Sequence, residues 1–339
     1  DGIVGGTRLG ILTVTNANNV TSDLALTAAS ISQVAGQGTT TFTGAVNTNT
    51  AAGIDLNTNN VSIDNTVTTT VNGTVTITNA GLLDIASGAD MNLDGAFVQD
   101  GGGVVQTAGD IVTTGDAITF ATGVTLTDAE SVVMTSAGGD ITFTSTVDAT
   151  TDFVEDLELT AGAGSIDFQD GVGQTNDLGE VDIVSALNVT TDVNGFNANT
   201  LLQQAGTGAT QFDGSVATNA IGGIDLTTNT VTVNGTVTTA NAGTVTITNA
   251  GLLDIAATGD MTLDGAFVQD GAGLVQTAGD IVTSGDTVNF LRGVTLTDSA
   301  APVLMDTTNG SATGATVTFQ STLDANTTGD EDLTINAGT

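Results

Sequence analysis

The segment Gly73–Asp128, GTVTITNAGLLDIASGADMNLDGAFVQDGGGVVQTAGDIVTTGDAITFATGVTLTD, returns at Gly243–Asp298 as GTVTITNAGLLDIAATGDMTLDGAFVQDGAGLVQTAGDIVTSGDTVNFLRGVTLTD. At a constant offset of 170 residues, 44 of the 56 paired positions are identical. Self-similarity on this scale marks a repeat protein before any local reading begins. Upstream, Ala35–Thr41 aligns with Ala205–Gln211 and Gly53–Leu56 with Gly223–Leu226. Downstream, Ile141–Gly162 aligns with Val317–Gly338 at an offset of 176, so the second copy carries a six-residue insertion, placed near Ser311–Ala315. The chain reads as two units, 1–169 and 170–339, forming a continuous rod cut from a longer array.

Inside each unit a finer period runs. Val75-Thr76-Ile77, Leu83-Asp84-Ile85, Met91-Asn92-Leu93 and Ile118-Thr119-Phe120 place apolar residues two apart around a polar one. That alternation is the mark of a half-buried strand. Turn dipeptides such as Asp-Gly, Ala-Gly and Gly-Asp close most runs. No stretch holds the i, i+3, i+4, i+7 spacing of an amphipathic helix, so almost no helix is predicted. Such short strands need stacked neighbours. A sandwich favours longer strands, of about 5–6 residues, and a core rich in large aromatics. The chain has 11 Phe, no Trp and no Tyr, which favours a parallel β-solenoid. Three strands per turn predict coils of about 20–22 residues, roughly eight to a unit. Val, Ile, Leu and Ala would fill the thin interior. The pairs Phe42/Phe212, Phe97/Phe267, Phe120/Phe290 and Phe143/Phe319 are expected inside as well.

Composition excludes much. The net charge is -36, with 38 acidic residues against two cations, Arg8 and Arg292. A polyanion of this kind does not bind nucleic acid or anionic lipid, since both require cations. No apolar run reaches the roughly 20 residues of a membrane-spanning helix. The chain contains no Cys, His or Lys. Serine–histidine and cysteine–histidine nucleophile systems, lysine Schiff bases and histidine-held zinc are therefore out of reach. Paired carboxylates of the glycosidase kind remain conceivable chemically, but no catalytic residue is assigned and the expectation is a protein without enzymatic activity. Disorder is excluded by a hydrophobic fraction of 39% and a single proline, Pro302.

Two ligand readings attach to named residues. Asp94, Asp100, Asp110 and Asp116 recur as Asp264, Asp270, Asp280 and Asp286 beside glycines or in turns. Calcium takes such carboxylates together with turn carbonyls. Neither the glycine-rich nonapeptide nor an EF-hand loop is present, so acidic turns that keep the surface solvated are the preferred reading, with scattered calcium bridging as the alternative and no cofactor or metal residue assigned. Thr76-Ile77-Thr78 and Thr125-Leu126-Thr127 resemble ice-ordering ladders, but irregular coils argue for β-propensity and solubility instead.

The stretches GDITFTSTVDATTDFVEDLELTAGAGSIDF, Gly139–Phe168, and LGEVDIVSA, Leu178–Ala186, give the chain a likeness. It resembles the strand-repeat regions of very large bacterial surface proteins, of the filamentous-haemagglutinin-like and β-strand-repeat type. The resemblance implies a secreted or surface-anchored, right-handed parallel β-solenoid used as an adhesin shaft, sheath or fibre. The expected function is thus an extracellular structural one. The alternative is an adhesin module recognising carbohydrate or a cell surface through a lateral face. Neither end shows a capping helix or charged plug, and open edges template further strands. The ends are therefore expected to continue into further repeats or to stack on another copy.

Overall fold

A computed structural model describes residues 2–127, 131–297 and 301–338. Among them are 41 strands and no helix. The chain divides into two compact units, Asp1–Gln169 and Asp170–Thr339. Each unit is a parallel β-solenoid whose coils have three faces.

In the first unit, face one carries the ladder Ile31, Ile54, Val75, Phe97, Ile118, Ile141, Ile166, each residue opposite the next in parallel register. Face two carries Thr40, Val61, Leu83, Val105, Val124, Val147. Face three carries Leu26, Val46, Val67, Met91, Ile111, Met134, Leu159. The second unit repeats the arrangement, for example Ile224, Val245, Phe267, Val288 and Val317 on face one. Most coils hold close to the expected length. The extremes are 19 residues, from Val105 to Val124, and 30, from Met305 to Ile335. Among the described residues seven strands stack on face two of each unit, against the roughly eight coils expected from length.

The short strands explain the composition. Strands such as Val75–Asn79, Leu83–Ile85 and Met91–Leu93 alternate buried and outward residues. With period two, a three-residue strand sends two side chains inward and one outward. Six inward residues per coil are therefore enough to fill a thin interior. Large rings fit where they stack. Phe120 and Phe143 lie parallel with centroids 5.5 Å apart, and Phe143 and Phe168 follow at 5.3 Å. Phe290 and Phe319 repeat the geometry at 5.5 Å. Of the eight phenylalanines expected inside, seven are buried; Phe319 is half-buried, because it lies in the last face-one strand of its unit. Phe168 and Phe196 are also fully buried. Comparison of the repeats passed over them because Phe196 matches Leu26 and Phe168 has no aligned counterpart in the second unit.

The insertion in the second unit is split. Val132–Thr135 corresponds to Val303–Asp306 at an offset of 171, whereas Ile141–Phe143 corresponds to Val317–Phe319 at 176. One residue therefore enters before Val303 and five enter between Asp306 and Val317, where the sequence alignment had grouped all six. The five form an outward corner loop. Thr307 Oγ1 ties its base, donating to the Ala315 carbonyl at 2.7 Å and accepting from the Ala315 amide at 2.9 Å. The ladders on either side keep register, so the extra length costs only loop entropy.

Phe143→Ala should lower the unfolding free energy by about 3–5 kcal/mol, the cost of an unfilled core cavity. Phe319→Ala, at a half-buried ring, should cost less than half as much. Urea titrations of both variants at unchanged slope check this; equal losses would mean that the ring stack does not set the difference.

Candidate functional site

The most distinctive side-chain chemistry lies at the corner that follows face one. Gln99 occupies an inward position where other coils place Ile77 or Phe120, and it is fully buried. A lone buried amide would be costly, so it must find partners. Its Nε2 donates to Asn79 Oδ1 at 2.8 Å and to the carbonyls of Gly101 and Gly103 at 3.1 and 3.3 Å. Its Oε1 accepts from the Ala121 amide at 3.1 Å and from Thr122 Oγ1 at 3.2 Å. Asn79 Nδ2 donates in turn to the Gly81 carbonyl at 2.6 Å. Glycine is obligatory beside this pair. A Cβ on Gly103 would sit 1.6 Å from the Gly81 oxygen, and one on Gly101 would sit 2.1 Å from the Asn79 oxygen. The second unit rebuilds the network, with Gln269 Nε2 donating to Asn249 Oδ1 at 2.8 Å. Sequence reasoning passed over these amides. The available signal was the identical spacing of NAG and FVQDG in both copies of the 56-residue block.

The eight aspartates singled out as calcium candidates are not brought together. Asp94 accepts from the Asn72 amide and from Thr114 Oγ1, both at 2.9 Å; Asp264 accepts from the Ala242 amide and from Ser284 Oγ, both at 2.8 Å. Asp100 accepts from Thr78 Oγ1 and Asp270 from Thr248 Oγ1, each at 2.5 Å. Asp110 accepts from the Val133 amide at 2.9 Å and Asp280 from the Leu304 amide at 2.8 Å. In Asp116 and Asp286 the backbone carbonyl accepts, from Thr113 and Thr283. Six of the eight carboxylates thus tie one coil to the next. Among the described residues no three acidic side chains converge on a common metal position.

The carboxyl groups split into two sets. Asp94 and Asp264 are held below the ordinary carboxylate value, first by the backbone amides of Asn72 and Ala242 and then by the hydroxyls of Thr114 and Ser284. Asp306 is lowered mainly by the Thr308 hydroxyl. Asp84, Asp110 and Asp225 are raised, first by partial burial and next by the charges of Asp64, Asp90 and Asp270. For Asp110 the Val133 amide works against the rise.

The threonine pairs do not extend into ladders. Thr76 lies between Asp55 and Val98 on neighbouring coils, and Thr125 between Gln106 and Asp148. Of the two cations, Arg8 is used internally. Its Nη1 donates to the Ala28 and Asn47 carbonyls at 2.8 and 3.2 Å, and its Nη2 to Asn47 Oδ1. Arg292 is exposed.

Two open hollows mark the sides of the first unit. A trough of about 360 Å³ runs along face three past Thr68, Thr70, Asn92, Asp94 and Thr114. A groove of about 420 Å³ follows the corner between faces one and two, lined by Gln37, Asn57, Asn59, Thr78, Ala80 and Gly102. Comparison with protein-family models, with curated proteins and with solved structures returns no match.

Gln99→Leu keeps a side chain of similar size but strands Asn79 and the glycine carbonyls, at about 1–3 kcal/mol for each buried group left unpaired. Asp100→Asn, on the exposed side of the same corner, should change stability by less than about 0.5 kcal/mol. Denaturant unfolding of the two variants reads the contrast.

Stability should also follow pH with a definite sign. A carboxyl raised in the folded state weakens folding when ionised, so protonating Asp84, Asp110 and Asp225 favours the fold as pH falls from neutral. A carboxyl lowered in the folded state contributes stability above its unfolded value and loses it as pH falls through the folded one. The melting temperature should therefore rise as pH falls from neutral, pass through a maximum near the ordinary aspartate range, and fall below it as Asp94, Asp264 and Asp306 take protons. Asp84→Asn should flatten the rise. A melting temperature that only declines from neutral pH downward would contradict the assignment.

Proposed function

We propose that this chain is a non-catalytic structural element, a stiff extracellular stalk, sheath or fibre segment on a bacterial surface. The observation that carries the reading is the in-register stacking of successive coils, as along face one from Ile31 to Ile166, whose inward ladders are filled by side chains. In such a stack stability is a sum of coil terms and nearest-neighbour terms, so stiffness extends with coil number. The absence of His, Cys and Lys from the sequence supports a role without catalysis. The surface position is supported by the acidic outer faces and by the resemblance to strand-repeat surface proteins; a polyanionic coat keeps stalks soluble and apart.

Assembly through the coil edges belongs to the same proposal. The strands Val317–Phe319, Leu323–Ala325 and Leu333–Asn336 leave inward-type residues open, with Leu323 39% and Ile335 48% exposed. Their counterparts in the first unit, Val147 and Leu159, are fully buried. An open edge of this kind pairs with the coil edge of a second copy.

Electron microscopy and sedimentation velocity of the isolated chain test this reading. Elongated particles of uniform width, lengthening as concentration rises, are expected. Leu323→Asp with Ile335→Asp should stop the lengthening without unfolding the body. Compact particles of one size at every concentration would overturn it.

A further inference from the structure

We infer that the corner groove of the first unit is a binding site for a linear oligosaccharide free of acidic groups, a role beyond that of a stalk. The groove crosses four successive coil levels, from Gln37 through Asn57 and Asn59 to Thr78 and Ala80, and ends at Gly102. At the spacing of stacked strands these levels lie about 4.8 Å apart. The hollow therefore runs along the stack and suits an extended chain rather than a compact ligand. Its volume of about 420 Å³ lies within the range of small-molecule sites, about 300–1,000 Å³.

The lining supplies the chemistry. The backbone at this corner is already paired from coil to coil: the Ala80 amide donates to the Thr58 carbonyl at 3.2 Å, and the Gly81 amide to the Asn59 carbonyl at 2.7 Å. The side-chain amides of Gln37, Asn57 and Asn59 are a different matter. Gln37 and Asn57 are exposed and Asn59 is half-buried, and among the described residues none of the three makes a side-chain hydrogen bond within the protein. Each amide offers two donors and an acceptor. Asn57 sits directly beside Thr78 in the ladder, which places an amide and a hydroxyl on adjacent coils. Sugar hydroxyls both donate and accept, so a row of amides at coil spacing pairs with them without needing a charge. Gly102 has no side chain and leaves the end of the groove open.

Charge narrows the class. Asp100 bonds Thr78 at the rim, and Asp55 stands outward on the neighbouring strand of face one. With Asp55 and Asp100 beside the groove and a net charge of -36 on the chain as a whole, uronic, sialic or sulfated sugars are repelled. The lining contains no aromatic ring, so hydrogen bonds must carry recognition and the affinity is modest.

The second unit provides the control. Thr207, Thr227 and Ala272 stand where the first unit has Gln37, Asn57 and Gly102. Two of the three amides are therefore confined to the first unit, Asn229 keeping the third, and removal of those two can copy residues that the same fold already carries.

The test uses the full chain labelled with nitrogen-15 and titrated with neutral cello-, chito-, malto- and manno-hexaose, with hexagalacturonate as the acidic arm. The expected result is saturable shifts of the Gln37, Asn57 and Asn59 amide signals by at least one neutral hexaose, with a dissociation constant near the millimolar range, about 1 mM. Gln37→Thr combined with Asn57→Thr should weaken that binding about tenfold or more while leaving the melting temperature unchanged. The inference is overturned if no neutral hexaose binds, if the double variant binds as well as the parent, or if hexagalacturonate binds equally. None of these outcomes bears on the stalk reading, which rests on coil edges elsewhere in the chain.

Discussion

Parallel hydrogen bonding between residues one coil apart is the constraint on which every other feature depends. A strand of three residues has too few bonds and too little apolar area to persist alone. Stacked between two copies of itself, the same strand has all its backbone groups paired and both inward side chains covered. Once the ladders are set, a residue such as Ile118 has its neighbours determined: Phe97 on one side and Ile141 on the other. The interior is then a set of columns, and the rule for each column is that successive side chains must stack. The phenylalanine column on face one satisfies that rule with parallel rings.

The corners carry the conflict between a regular ladder and a variable sequence. Coil length ranges from 19 to 30 residues, yet the ladders on either side stay in step. Extra residues are pushed outward, as at Asp306–Val317, where Thr307 closes the loop base. Where a corner must instead be tight, as at Gly101–Gly103, the chain uses glycine for clearance and a buried Gln99–Asn79 pair to satisfy the carbonyls left facing inward. A half-satisfied version occurs where Thr40 Oγ1 donates to Gln33 at 2.6 Å, while Gln33 Nε2 finds no partner. The complete network lies in the repeated block, where a methyl group on Gly101 or Gly103, or on Gly271 or Gly273, would collide with backbone.

The acidic surface follows from the same geometry. Outward side chains recur at coil spacing, so like charges on successive coils are near neighbours, as with Asp90 and Asp110. Many carboxylates escape this by accepting a bond from the adjacent coil, as Asp94 does. An aspartate in a turn of this fold is thus chiefly a coil-to-coil tie, which is why its recurrence resembled a metal motif in sequence without forming one in space.

The sequence by itself determined the fold class, the approximate coil length and the inward residues, because period-two alternation and long-range self-similarity survive in one dimension. It also excluded the chemistries that need histidine, cysteine or lysine. Only the tertiary structure decided which residues meet across coils. The Gln99–Asn79 pair, the separation of the eight aspartates and the amide-lined groove all join residues about one coil apart, at spacings that shift with each corner loop. No fixed offset in the sequence encodes them. Gly73–Asp128, the block whose repetition marks the repeat, was legible in one dimension; the Gln99–Asn79 corner inside it became visible only once the coils were stacked, because its partners come from neighbouring coils.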